Sequence, residues 1–173
     1  MRFRNGTRAD SDRIAALHTA SWRDAYVGLM PPEFLNGPLA DSHRAKWRAR
    51  TEDASGRWLM LAEEGDELVG FIHLDTVRDG RVHVDNLHVR PGRTGTGIGY
   101  RLLRRGFAWA ADAHPGRDVF LEVLRGNARA ITFYERAGGL VTAERPLTVA
   151  PGIEVGEIEY IWTADAVGRL AAL

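Results

Sequence analysis

The residues best suited to chemistry form a glycine-rich run, Thr94-Gly95-Thr96-Gly97-Ile98-Gly99, that follows an apolar segment ending in Leu87, His88 and Val89. Val82, Val84, Leu87 and Val89 give that segment strand character, and Leu102, Leu103, Phe107 and Ala110 recur at helical spacing after the glycines. Pro91 and the glycines mark the break between the two. Glycine lets a backbone approach a ligand closely and turn its N–H groups outward. The helix N-terminus behind the loop adds a partial positive charge, so the stretch suits a phosphate or pyrophosphate. Gly92 and Gly97 have the spacing of a P-loop's two glycines, yet Ile98-Gly99 stands where Lys-Ser or Lys-Thr is required. A dinucleotide fingerprint starting at Gly95 needs glycine or alanine at Tyr100. The plain alternative is a tight strand-to-helix turn that binds nothing.

Titratable groups gather on the strand before the loop. With Asp79-Gly80 as a two-residue hairpin turn, His83, Asp85, Leu87 and Val89 share one face. In the same register His73 lies on the opposite face, and His83 and His88, an odd number apart, face opposite ways. The six histidines therefore do not converge, no His-x-x-x-His occurs on a helix, and no metal site is expected.

The chain around these groups is 173 residues long, 45% apolar and 27% charged, which fits one globular domain, residues 1–173. Formal net charge is zero and no basic cluster interleaves with aromatics, so neither nucleic acid nor an acidic membrane is indicated as a partner. The absence of cysteine excludes disulfides, thiolate metal sites and a cysteine nucleophile. Met1-Arg2-Phe3-Arg4 lacks a signal peptide's apolar run, and no stretch approaches the ~20 apolar residues of a membrane span. The expected location is the cytoplasm. Lys46 is the sole lysine among 23 basic residues.

In chain order, Arg2–Arg4 reads as a short strand and Ile14, Leu17, His18, Ser21 and Trp22 as one face of a helix. One or two amphipathic helices follow to about Arg50, interrupted at Asn36-Gly37-Pro38. Segments 57–63, 68–77 and 81–89 read as an antiparallel meander. A helix runs from the loop to about Ala113, Val119–Val123 is a buried strand, and Asn127 caps a helix carrying Ala130, Ile131, Phe133, Tyr134 and Ala137. Segments 140–149 and 153–162 are two more strands, and 165–173 is a short tail.

Gly97-Ile98-Gly99, behind its strand and proline, resembles motif A of the bacterial GNAT superfamily of acyl-CoA-dependent N-acyltransferases. The family's Gln or Arg falls here on Thr94, with Arg93 one residue early. Asn127 followed by Ala130 and Tyr134, then Gly138, is similar to its motif B. Trp22, Tyr26, Gly28, Leu29 and Pro31 resemble a pattern in a bacterial subset whose early helices frame the acceptor pocket. The resemblance spans residues 3–162 and implies an α/β fold: a mixed, mostly antiparallel sheet of about seven strands with helices on both faces.

It also implies acetyl transfer from acetyl-CoA to a primary amine by direct attack in a ternary complex. The acceptor is a small molecule or a protein N-terminus. The backbone of Gly95, Thr96, Gly97, Ile98 and Gly99, with Thr94 beside them, would hold the pyrophosphate. Leu87, His88 and Val89 would pair with the pantetheine as an added strand does, and Asn127 would contact it. Tyr134 matches the tyrosine that points at the CoA sulfur in many relatives; a phenol, with a pKa of ~10, can protonate the thiolate. His83, Asp85 and Glu122 compete as general base. Exposed C-terminal strands suggest a homodimer. The alternative of a different class is a non-catalytic acyl-CoA binder or sensor.

Overall fold

The computed structural model describes residues 1–53, 55–76 and 79–172. Val77, the expected end of the second meander strand, and Leu173 lie outside the described residues. The strands are β1 (Arg2–Asn5), β2 (Arg57–Glu64), β3 (Glu67–Thr76), β4 (Val82–Val89), β5 (Val119–Leu124), β6 (Leu140–Ala150) and β7 (Ile153–Trp162). They form one seven-stranded sheet in the order β1-β2-β3-β4-β5-β7-β6. Every neighbouring pair is antiparallel except β4 and β5, which run parallel. The helices are α1 (Ser11–Ala25), α2 (Pro32–Asn36), α3 (Leu39–Glu52), α4 (Ile98–Ala113), α5 (Ala128–Arg136) and α6 (Ala164–Ala172). None is long and apolar enough to cross a membrane.

Strand alternation distributes the core between the two faces. Ile72 and Leu74 of β3, with Val82 and Val84 of β4, meet Leu102, Leu103 and Phe107 of α4. Leu61, Leu68 and Phe71 instead meet Ile14 and Leu17 of α1 and Trp47 of α3. Helices therefore cover both faces, as the family pattern implies. Helix α4 comes very close to β3 because Gly106 has no side chain: a Cβ there would lie 2.8 Å from Cδ1 of Ile72. A third cluster, Tyr26, Met30, Leu35 and Leu39 against Leu124, ties α1, α2 and α3 to the end of β5.

Two expectations need correction. The segment read as a tail is helix α6, which buries Val167 against the α4 side of the core and accepts a hydrogen bond from Arg104 Nε at the Leu170 carbonyl, 3.2 Å. The spacing of Ala166, Val167 and Leu170 already carried that helical signal. The second correction concerns β4. His73 pairs with Asn86 and Leu74 with Val84, so Asp85 is an extra residue opposite no partner, a β-bulge. The bulge reverses the alternation within the strand. Val82 and Val84 before it, and Leu87 and Val89 after it, all join the α4-side core. His83, Asp85 and His88 face the other way, and His73 joins them. His83 and Asp85 thus do not share a face with Leu87 and Val89, and His83 and His88 are not opposed. A one-residue bulge leaves no mark on composition, so alternation counted straight through it predicts the wrong face.

At the other end of the sheet, Glu63 is only 2% exposed yet meets three guanidinium groups. Arg2 and Arg4 donate to it at 2.7 and 2.8 Å and Arg13 at 3.1 Å, while Arg4 also pairs with Asp10 at 2.7 Å. The Arg4 hydrogen bond holds the Glu63 carboxyl down from 4.5 to about 2, against the opposing effect of burial. The pair therefore stabilises the fold above about pH 4.5, and this contribution is lost as pH falls towards 2. Glu63→Gln is expected to cost about 3 kcal/mol, the low end for breaking a buried ion pair. Urea unfolding at pH 7 checks this. A midpoint equal to wild type would show that the cluster contributes nothing.

Candidate active site

The site is built where β4 and β5 part. They pair only at Val82–Val119 and His83–Phe120, and from there β4 runs on to Val89 and β5 to Leu124 without bridging. The backbone edge of Leu87, His88 and Val89 is thus left open towards a cleft of about 1220 Å³. The cleft is lined by all three of these residues, by Thr94, Gly95, Gly97 and Gly99, and by Asn127, Tyr134 and Glu122. The structure brings these predicted residues together. Asp85 lines the cleft as well, whereas His83, Thr96 and Ile98 do not; Ile98, the first residue of α4, is buried in the α4-side core.

The loop reaches α4 through three left-handed glycines, Gly92, Gly95 and Gly97, with φ of +81°, +79° and +82°. Gly97 is the N-cap of α4. Arg93 donates its N–H to the Arg90 carbonyl and Arg101 donates to that of Gly97. Between them, the N–H groups of Thr94 to Tyr100 find no acceptor among the described residues. Amides left without a protein acceptor at a helix N-terminus suit an anion. The side chain of Arg93 is taken by Glu64 and that of Thr96 by the Arg93 carbonyl, at 2.7 Å, so backbone rather than side chains offers the donors. This arrangement fits a pyrophosphate and makes little demand on the side chain at position 94.

Across the cleft, Tyr134 is 8% exposed and packs edge-on to Phe133 and Trp162. Its hydroxyl has no partner among the described residues. Burial, then the neighbouring Tyr26, push the phenol well above its ordinary value, so it stays protonated. Asn127 Oδ1 accepts the Ala130 N–H at 3.1 Å, the helix-cap bond, which leaves its Nδ2 to donate to Tyr26 Oη at 3.4 Å. Trp22 and Tyr26 both line the cleft and pack into the third cluster, so wall and core coincide.

The three candidate bases differ sharply. Asp85 accepts from Arg50 at 2.7 Å, from Asn86 Nδ2 at 2.6 Å and lies 3.0 Å from His73 Nδ1. Burial raises its pKa, but the His73 hydrogen bond and the Arg50 charge outweigh that and hold it far below the usual carboxylate range. Glu122 lies 2.7 Å from His83 Nε2 through one oxygen and accepts from Arg145 at 2.8 Å through the other. Burial pushes this carboxyl up, and His83 and Arg145 together bring it below its ordinary value. His83 in turn stacks on Phe120, with centroids 4.7 Å apart.

Sequence reasoning missed a second group. His18 of α1, His43 of α3 and His88 of β4 meet in the same cleft, with His18 and His43 stacked at 3.7 Å. The available signal was His18 at one turn before Trp22; nothing local pointed to His43, and the bulge hid His88.

The chain matches the model of the acetyltransferase (GNAT) family over residues 14–139. It is 29% identical over 170 residues to a probable N-acetyltransferase of Mycobacterium tuberculosis, covering 92% of each chain. Among solved structures it resembles the PaiA N-acetyltransferase of Thermoplasma acidophilum in complex with coenzyme A, with a TM-score of 0.73 at 20% identity, covering 91% of this chain and 96% of that one. It also resembles yncA of Salmonella typhimurium, a putative acetyltransferase with its cofactor acetyl-CoA, with a TM-score of 0.69 at 20% identity and coverage of 95% and 94%. The fold is the one that these acetyltransferase structures share. The chain belongs to the acetyltransferase (GNAT) family.

Proposed function

We propose that this chain transfers an acetyl group from acetyl-CoA to a primary amine by direct attack within a ternary complex. The observation that carries this reading is the run of amides from Thr94 to Tyr100 with no protein acceptor, set at the head of α4 beside the open edge of β4. That run would hold the pyrophosphate, and the backbone of Leu87, His88 and Val89 would pair with the pantetheine arm. When bound, acetyl-CoA supplies an activated acyl thioester. The residues then have separable tasks: Asn127 Nδ2 orients the pantetheine, and Tyr134 Oη donates the proton that the departing thiolate needs. Direct attack accords with the lack of cysteine. Calorimetry with acetyl-CoA, using NAD as comparator, tests the cofactor. Micromolar binding of the first alone is expected, and equal or absent binding of both would reject the site.

The proton of the acceptor amine goes, in this reading, to the Glu122–His83 pair. Glu122 and Asp85 both line the cleft; His83 backs Glu122, whereas Asp85 is held by Arg50, Asn86 and His73. Asp85 is then a positioning residue that fixes the bulge through Arg50, His73 and Asn86. Glu122→Gln is expected to lower kcat/KM about a hundredfold and to remove the acid limb of its pH profile. The wild-type limb should lie below the ordinary carboxylate range, because His83 and Arg145 favour the charged form of Glu122. A variant profile superimposable on wild type would take the pair out of the proton path.

A further inference from the structure

The three clustered histidines are not equivalent, and their hydrogen bonds tell them apart. His88 uses both ring nitrogens inside the protein: Nδ1 lies 3.0 Å from Ser21 Oγ and Nε2 3.3 Å from Asn86 Oδ1. The Asn86 amide already donates to Asp85, so its oxygen accepts, and His88 carries its proton on Nε2 with Nδ1 accepting from Ser21. His18 accepts at Nδ1 from Trp47 Nε1–H at 3.0 Å, a group that can only donate, so its proton is also on Nε2. His43 is the reverse. Thr19 Oγ1 has one proton, directed to the Ala15 carbonyl at 2.8 Å. Its 3.0 Å contact with His43 Nδ1 therefore has the ring donating, which leaves the His43 Nε2 lone pair free.

The Nε2 atoms of His18 and His43 have no partner among the described residues. Yet the two residues are only 2% and 5% exposed, and both line the cleft. Their rings stack nearly parallel, at 7°, so they present one N–H donor and one lone pair from a rigid pair. Neither atom is sealed off, since the buried side-chain atom left without a partner among the described residues is Arg50 Nη1; both histidine Nε2 atoms are thus accessible to a molecule that enters the cleft.

We propose that the His18–His43 pair is an acceptor-recognition subsite that binds a neutral group able to accept and donate at once, in the simplest case a hydroxyl carried by the amine substrate. The chemical class is a hydroxylated primary amine, and the inference rests on the acetyl-transfer reading of the same cleft. The hydroxyl oxygen accepts a hydrogen bond from His18 Nε2–H, and its O–H donates one to His43 Nε2. A second ammonium group is a poor fit. Burial first, and then the charges of Lys46 and Arg50, hold His43 down to about 4, and burial lowers His18 too, so the pair stays neutral; Asp85 faces the same cleft but is already paired with Arg50. Lys46 itself lines the cleft. A polyamine would place another cation beside these two.

The test compares butylamine, its terminal-hydroxyl analogue and its terminal-amine analogue, together with the shorter and longer members of each series, as acceptors in a thiol-release assay. The hydroxylated series is expected to show at least tenfold higher kcat/KM than either other series, because a site that offers hydrogen bonds discriminates against analogues that leave them unmade. His43→Phe keeps a ring against His18 and removes the lone pair, and the preference should collapse to within about twofold. A hydroxyl preference absent in wild type, or intact in His43→Phe, overturns the proposal. Nitrogen-15 spectra of the histidine rings supply an independent reading that needs no turnover. They should show His43 protonated on Nδ1 and His18 on Nε2, with both Nε2 signals shifting on addition of the hydroxylated amine to the protein with CoA. The opposite tautomer at His43, or no shift at saturating amine, also overturns it. Acetyl-CoA affinity measured in parallel separates the two readings, since its absence would indict the donor site rather than this subsite.

Discussion

Gly97→Val is expected to reduce acetyl-CoA affinity at least a hundredfold, about 2.7 kcal/mol, while leaving the fold intact. Gly97 has φ of +82°, where a β-branched residue is strained. Beyond its chain neighbours, no heavy atom of the described residues lies within 4 Å of the position a Cβ would take, so the side chain starts in open space at the head of α4. The loss has two sources. Valine resists the left-handed conformation that aims the flanking amides, and its methyl groups occupy space beside those amides. Calorimetry reads the affinity, and thermal unfolding of the unliganded variant separates site from stability. Unchanged affinity in a folded variant would reject the loop as the cofactor site.

Tyr134→Phe should lower kcat by 10²–10⁴, the usual contribution of a positioned proton donor, with little change in acetyl-CoA affinity. The substitution is clean because the hydroxyl has no protein partner among the described residues, so its removal strands no buried group. The ring contacts with Phe133, Tyr160 and Trp162 persist. Burial holds the phenol protonated well above pH 10, so Tyr134 should impose no basic limb on the wild-type profile below that pH. Turnover at the wild-type rate would remove Tyr134 as the acid. Steady-state kinetics at several pH values, with the acetyl-CoA and amine KM values measured separately, makes the distinction.

The parts of the molecule that were legible in its sequence are those whose determinants are local. Pro91 and the glycines announced the break between β4 and α4, Asn127 its cap, and the period-two and period-3.6 patterns the strands and long helices. Asn127 was read both as a cap and as a ligand contact, and the structure commits its oxygen to the cap. The acceptor side was illegible for a physical reason. It depends on α1 and α3 crossing the sheet at a position set by long-range packing, Ile14 and Leu17 on Phe71 and Trp47 on both. His43 acquires meaning only after that packing has placed it against His18. The surroundings of Asp85 and Glu122 likewise depend on partners remote in sequence, Arg50 for one and Arg145 for the other.

The extra residue in β4 has a consequence for transplanting this site. The strand works like a gear that skips one tooth: its first half keeps one parity and its second half the other, so the same ribbon can show hydrocarbon to α4 along its whole length while turning His83 and His88 to the same side. Side chains copied singly onto an unbulged strand would arrive on the wrong faces. The portable unit is the step itself, Val84-Asp85-Asn86 with the His73-Leu74 pair opposite and the Arg50 that clamps it. Whoever grafts that step carries the alignment with it.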